Sequence, residues 1–466
     1  MHTRRGLFHF GLSGLAATAA MHLLSGDGHA KPATHHAAKA KRVVQITLVG
    51  GLSHLDSLDY KPTLTKMHGK SLNSTEKPDL FFGQVGLLRQ PDWAFARRGT
   101  SGLWMSDLFP EIATCADDLT VINSMVADSA NHTPALFVQN SGFQFNGYPA
   151  LGSWLSYGLG SETEELPAFV VLPDGRGEAN GAASNWTAGF LPAEHQGVVF
   201  RGGASPVRDL FPDKPISDSE EKDTRAALAA LNKQHAAAAP LDTTLAARMR
   251  SYELAARMQL AVPKVANLDG ESEATKKLYG IDRKETEDTG RRCLLARRLL
   301  EQGVRFVQVY SGGPIAGSPR TSWDAHENVK ENHGAEAGRI DRPVAGLLKD
   351  LKQRGMLADT LVLFTTEFGR TPFAQSAAGT VGPGRDHNKY AFSCWLAGAG
   401  LKPGTSYGVT DEIGWKAAEK PVAWHDFHAT VLHLLGLDHE KLTFYHNGIK
   451  RRLTNVHGGV VKGVLA

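Results

Sequence analysis

Carboxylates and histidines cluster at four places in this chain, each beside an apolar run of the kind that forms a buried strand. GGLSHLDSLDYKP follows VVQITLV and brings His54, Asp56 and Asp59. SWDAHENVKENHG follows GVRFVQVY and brings Asp324, His326 and His333. TTEFGRTP follows LVLF and brings Glu367 and Arg370, and GPGRDHNKY, ahead of FSCWLAG, brings Asp386 and His387. Carboxylate oxygens together with imidazole nitrogens suit zinc, manganese or a similar divalent cation. Converged on one sheet edge they would make a hydrolytic metal centre. Taken singly, an aspartate after a strand reads as readily as a helix cap, and a loop histidine as a hydrogen-bonded filler. Their recurrence at successive strand ends, with Asp-Ala-His spacing in one, points to a metal or catalytic site. Arg370 has the planar fork to clamp a phosphate or sulfate oxygen; its alternative is an ion pair with Glu367 or Asp386. Asp59, followed by Tyr60-Lys61-Pro62, reads as a loop-fixing residue and His54 as incidental. In WHDFHATVLHLL, Asp426 reads as a helix-capping carboxylate and His428 as a residue that supports a ligand from behind. Trp323, Phe368 and Tyr390 either line an organic substrate pocket or pack in the core.

Strands must deliver these residues. VVQITLV, LTVINSM, AFVVLP, GVRFVQVY, DTLVLFTTEF and FSCWLAG read as buried strands, and amphipathic helical stretches lie between several of them. That alternation predicts an α/β chain with a mostly parallel sheet covered on both faces. In such sheets, sites form where strands end in loops at the carboxyl edge. From about 205 to 290 the composition shifts to Ala, Lys, Arg and Glu with helical spacing, which reads as a helical insertion. Met249, Leu254 and Met258 are its packing residues.

The whole chain sets further bounds. Its 466 residues, 42% hydrophobic and 21% charged, suffice for a large core. A formal charge of +3, with no basic run beyond the N-terminus, gives no footprint for nucleic acid. Three cysteines cannot supply a disulfide framework. Arg4 and Arg5 precede a modestly apolar stretch from Leu7 to Leu24 and small residues at Gly28 and Ala30. This reads as a twin-arginine export signal over 1–30, followed by a mobile polar linker over 31–41 and one domain over 42–466. A short membrane anchor is the alternative, disfavoured by His9, His22 and the Gly/Ala content. On either reading the mature chain works outside the cytoplasm, periplasmic or extracellular, with no stable membrane span once the signal is removed. No glycine-rich nucleotide loop follows a strand, and the oligomeric state has no signal in the sequence.

The segment HNKYAFSCWLAGAGLKPGTSYGVTDEIGWKAAEKPVAWHDFHATVLHLLGLD resembles the closing part of the alkaline-phosphatase-like superfamily. With RRCLLARRLLEQGVRFVQVY, WDAH and TTEFGRTP it is similar to the exported branch called domain-of-unknown-function family 1501, from about Arg42 to the C-terminus. The resemblance implies an alkaline-phosphatase-like three-layer sandwich with a mostly parallel central sheet and a helical insertion. It also implies a metal-dependent hydrolase of phosphate or sulfate esters, acting on a small-molecule or glycan ester with one or two zinc or manganese ions. His387 becomes the ligand before the penultimate strand, Asp324 and His326 the middle pair, Glu367 a stand-in for the aspartate of an Asp-His-Gly turn, and Asp56 the N-terminal carboxylate. Asp386 completes the candidate metal set.

Departures from the pattern matter. Gly50 and Gly51 stand where the superfamily has an aspartate, and Phe368 where it has a histidine, so one of two metals is missing or held differently. In NHTPALFVQNSG, His132 occupies the place of a sulfatase's reactive cysteine, and Cys293 opens CLLAR without the needed proline, which disfavours an oxidised-cysteine sulfatase. The nucleophile is then Thr133, His132 acting through nitrogen (its alternative being metal ligation), or water at the metal. A reading of another class is a non-catalytic periplasmic or cell-surface binding protein on the same fold.

Overall fold

In a computed structural model, residues 34–466 are described except 73–77, 79, 202–205, 208–216, 239–242, 316 and 318–319. The export signal read at 1–30 and parts of the 205–290 insertion lie outside the described residues. The strand-like runs become β1 (Arg42–Leu48), β2 (Leu119–Val126), β3 (Phe169–Leu172), β4 (Val198–Val199), β5 (Phe306–Ser311) and β6 (Thr360–Thr366). A hairpin of β7 (Gly369–Ala374) and β8 (Arg385–Asn388) follows, then β9 (Phe392–Gly398), β10 (Thr405–Tyr407) and β11 (Val422–Ala423). The nine-stranded main sheet has the order β10-β2-β9-β6-β1-β5-β3-β4, with β11 also beside β2. β1 lies parallel between β5 and β6, pairing Val43 with Phe306 and with Leu361. β9 runs antiparallel to both β6 and β2. The chain is therefore a mixed α/β protein with a mostly parallel central sheet.

β1 shows why. Val43, Val44, Ile46 and Leu48 are all essentially inaccessible to water, the near-continuous apolar pattern of a strand covered on both faces. Val44, Ile46 and Leu48 join one core with α6 (Glu287–Glu301) and α7 (Val329–Gln353), through residues such as Leu294, Leu299, Val344 and Leu348. Val43, with Leu361 and Leu363, joins the opposite core with α1 (His132–Ser141), α2 (Leu151–Leu159) and α8 (Trp424–Leu434). Between sheet and α1 runs a polar ladder: Gln139 Nε2 and Gln45 Nε2 both donate to Thr365 Oγ1, at 2.8 and 3.1 Å, and Gln308 Nε2 donates to Asn140 Oδ1 at 2.8 Å. Such bonds are directional where hydrophobic contact is not, so they fix where the first residue of α1 stands.

The insertion carries α3 (Asp218–Ala238), α4 (Thr243–Ala266) and α5 (Glu273–Leu278). Met258 is buried in the first core and Leu254 packs against it, the packing role their spacing predicts. Residues 34–41, expected as a free linker, are instead laid against the end of α8. His35 N and His36 N donate to Gly436 O, and Lys39 N and Ala40 N to Leu434 O, satisfying carbonyls a helix end leaves open. Cys115, Cys293 and Cys394 are buried and unpaired. Among the described residues no helix is long and apolar enough to cross a membrane.

Candidate metal centre

β1 is followed, after Val49, by Gly50 and Gly51, both with positive φ, +123° and +84°. A Cβ on Gly50 would sit 2.4 Å from the backbone nitrogen of Asp324, and one on Gly51 2.7 Å from the Phe368 ring. Only glycine lets the loops after β1, β5 and β6 meet this closely. Trp323 N donates to Val49 O at 2.8 Å, which locks the WDAH segment to the end of β1. Asn328 then caps α7, its Oδ1 accepting from Glu331 N at 3.2 Å, so the segment bearing Asp324 and His326 is held at both ends.

Arg370, fully buried, fills the space beneath. Its Nε donates to Gly51 O at 2.9 Å, Nη1 to Arg385 O at 3.2 Å, and Nη2 to Gly50 O and to Asp324 Oδ1, the latter at 2.7 Å. Every arm of the fork is used on the protein itself. The expected ester clamp is thus a brace for the glycine turn and for Asp324.

Three imidazoles converge on that same oxygen. Nε2 of His326, His387 and His132 lies 2.8, 3.3 and 3.4 Å from Asp324 Oδ1. One ligand atom from each of the four residues lies within 4.8 Å of all the others, and all four residues are buried. Each ring is held by its other nitrogen. His132 Nδ1–H donates to Glu367 Oε1 at 2.8 Å, His387 Nδ1–H to Ala130 O at 2.6 Å, and His326 Nδ1–H to Gln375 Oε1. Those acceptors fix the tautomer and leave Nε2 as a lone pair aimed inward. Two such lone pairs, on His326 and His387, face each other 2.9 Å apart. His132 Nε2 is buried with no hydrogen-bond partner. Lone pairs and a carboxylate oxygen crowded in this way repel unless a cation lies among them, and an N₃O set suits a zinc-like ion.

Asp324 and His387 carry the charge states that reading needs. Burial works against the Asp324 carboxylate, yet Arg370 and the three imidazoles hold it far below the usual carboxylate range. Burial drives His387 well below the ordinary histidine value, only partly offset by Asp324. Burial opposes protonation of His132 as well, but there the neighbouring Asp324 and Glu367 carboxylates prevail and raise it, so a cation bound at the cluster would have to displace that proton.

The other expected ligands lie elsewhere. Asp56 Oδ2 accepts from Ser53 Oγ at 2.5 Å and from Arg385 Nε at 2.9 Å, and Oδ1 from Asp92 N at 2.8 Å. The short turn His54–Asp56 places it on a fully buried ion pair with Arg385. Asp386 precedes His387 on β8, and neighbours on a strand point to opposite faces. Its oxygens accept from His387 N at 2.7 Å and Phe82 N at 3.0 Å. Glu367 touches the cluster only through His132, and its Oε1 also accepts from Gly50 N at 2.8 Å. His428 Nε2–H donates to Gln139 O at 2.9 Å, bracing α1 from outside the cluster. Thr133 is half-buried in the first turn of α1, and its hydroxyl makes no hydrogen bond among the described residues. Asp59 fixes its loop through Lys61 at 3.2 Å and Thr410. His54 is buried, with Nε2–H donating to Gly414 O at 2.8 Å, and His333 Nε2 accepts from Ser53 N at 2.9 Å. Trp323 and Phe368 are core residues.

Gln375, Ala130 and Arg320 were not singled out by the sequence reading. Arg320 bonds Asp324 Oδ2 and pairs with Glu327 at 2.7 Å. A lone glutamine or a backbone carbonyl carries no spacing signal. Arg320, four residues before Asp324, is the one a search for cations near the carboxylate would have found.

Residues 40–465 match the family described as a protein of unknown function, DUF1501. The chain belongs to that family. No curated protein matches this DUF1501 member in sequence. Similar solved structures include Ps i-CgsB in complex with k-i-k-neocarrahexaose, 13% identical with a TM-score of 0.38 over 86% of this chain and 72% of that one. The phosphonate monoester hydrolase SpPMH from Silicibacter pomeroyi is 11% identical, TM-score 0.35, over 70% of this chain and 68% of that one. A TAB5 alkaline phosphatase mutant with Mg bound is 11% identical, TM-score 0.35, over 81% and 95%. With overlaps this loose, the functional reading of the DUF1501 chain rests on its own residues.

Proposed function

We propose that this chain is an exported, metal-dependent hydrolase of phosphate or sulfate esters, its domain over 42–466 with residues 34–41 packed against it and its leader carrying Arg4 and Arg5. The observation that carries the reading is the convergence of three imidazole Nε2 atoms on one oxygen of Asp324. His132, His326, His387 and Asp324 would hold a single divalent cation, zinc or manganese. Bound there, such an ion supplies Lewis-acid charge for an ester oxygen.

The chain's own residues do the rest. Glu367, Ala130 and Gln375 keep each Nδ1 proton in place and each Nε2 lone pair directed inward. Arg370 keeps Asp324 ionised. At the mouth stands Arg320, its side chain 26% exposed and paired with Glu327, which is 67% exposed. Arg320 Nη1 is spent on Asp324 Oδ2, while Nε and Nη2 meet the exposed Glu327 carboxylate in a two-point contact, the contact that a substrate oxyanion would take over. His132, committed to the cluster through Nε2, gives way as a nitrogen nucleophile. Thr133 is the hydroxyl next in the chain, with water the other nucleophile.

Elemental analysis of the full chain, purified without chelators, tests the reading. About one ion per chain, lost in Asp324→Ala and His387→Ala, is expected for a site of this donor set. Turnover of aryl phosphate or aryl sulfate follows, and Thr133→Ala separates the hydroxyl from water. Arg370, with every arm spent on the protein, favours the second reading, a binding protein that retains the metal. A metal-loaded chain inert on both ester classes would establish it.

A further inference from the structure

Two aromatic rings stand over the cluster without a role so far. Phe81 and Phe82 are 45% and 52% exposed. The Phe82 ring meets His326 edge-on at 4.7 Å, and the Phe81 ring lies 4.9 Å from that of His387. The two phenyl rings meet each other at 4.9 Å and 81°. They form a hydrocarbon corner built against two of the three imidazoles. The corner is pinned, because Phe82 N donates to Asp386 Oδ2 while Asp386 Oδ1 accepts from His387 N. One carboxylate therefore ties the aromatic pair to the strand that carries His387. Apolar surface exposed beside a buried charged centre has a use when a ligand covers it.

We propose that Phe81 and Phe82 seat the organic part of the ester, and that this part is an aryl group. The inference rests on the hydrolase reading and names its substrate class. An ester whose anionic end is directed at the four-residue cluster leaves its alcohol portion pointing outward, where the corner stands. A sugar could offer these rings only a C–H face, its hydroxyls gaining no hydrogen bond from them. An aryl ring gains from burial and from edge-on or offset contact with both phenyl groups.

The test uses two anions that cannot be hydrolysed, phenylphosphonate and methylphosphonate, titrated calorimetrically into the metal-loaded full chain. Phenylphosphonate should bind about tenfold more tightly or better, the effect of burying one ring. That ratio should fall towards unity in the Phe81→Ala/Phe82→Ala double variant, whose metal content stays unchanged. Equal binding of the two probes, a ratio that survives the double substitution, or tighter binding of glucose 6-phosphate than of phenylphosphonate overturns the proposal. Failure of both phosphonates, and of benzenesulfonate and methanesulfonate as the sulfate-like pair, to bind a chain that holds its metal has a different meaning: the hydrolase reading falls, and this inference with it.

Discussion

Asp324 presents one oxygen to three imidazoles and to the Arg370 guanidinium, while its other oxygen meets Arg320. Each neighbour has a separate job, so substitutions should separate too. Glu367→Gln keeps the shape but offers His132 a weaker acceptor. Metal affinity, measured by competition with a chelator, should fall about 10- to 100-fold while some binding persists. Arg370→Met removes a fully buried cation and strands the carbonyls of Gly50 and Gly51. Denaturant unfolding should register a loss of about 3–5 kcal/mol, the range for breaking a buried pair from one side. Asp56→Ala, which strands Arg385 in the same way, should cost a similar amount in stability and leave the metal stoichiometry alone. Loss of metal in that variant would return Asp56 to the site. The residue types at the cluster were legible in the sequence, and so was His132 as a candidate. The family resemblance also put Asp324, His326 and His387 in one ligand set, as the structure does; which of the other carboxylates stay outside it was not legible. Whether an aspartate beside a strand faces the site or its own backbone depends on pleat and turn, which is what separates Asp324 from Asp386 and Asp56.

At the scale of elements, α1 decides where His132 stands. It is held from the sheet side by Thr365 and Gln308, through Gln139 and Asn140, and from the far side by His428. Burial pushes His428 down to about 3. The unfolded chain takes up that proton near 6.5 and the folded chain does not, so the stabilisation is complete above 6.5 and lost as pH falls towards 3. Comparing urea unfolding at pH 7 and pH 5, wild type should lose about 2 kcal/mol more than His428→Gln. An equal loss in both would mean that His428 titrates normally. The strands were readable because parallel strands buried on both faces are nearly unbroken apolar runs. The β7–β8 hairpin was not, since GRTPFA and RDHN carry polar side chains that are buried by their partners rather than by their own chemistry. The linker escaped reading for a related reason: residues 34–41 are polar, and what orders them is the open carbonyl end of α8.

For the whole molecule, the first residue of α1, the loop after β5 and strand β8 meet at a single point, so an ion placed there would fasten three segments distant in sequence. A cation that binds only the folded state stabilises it by mass action, about 4 kcal/mol at a thousandfold excess over its dissociation constant. Thermal unfolding should therefore shift upward with added zinc or manganese and downward with chelator, and the shift should vanish in Asp324→Ala. The sheet also has two ends. The cluster occupies the carboxyl edge, while the backbone enters β1 at the amino edge, from Thr34 along the end of α8. β1 spans about 23 Å at the usual rise per residue, and its two ends point in opposite directions. Whatever precedes Thr34 thus joins the body at the pole away from the mouth. A label or solid support coupled ahead of Thr34 is therefore attached at the end of β1 opposite the phenylalanine corner.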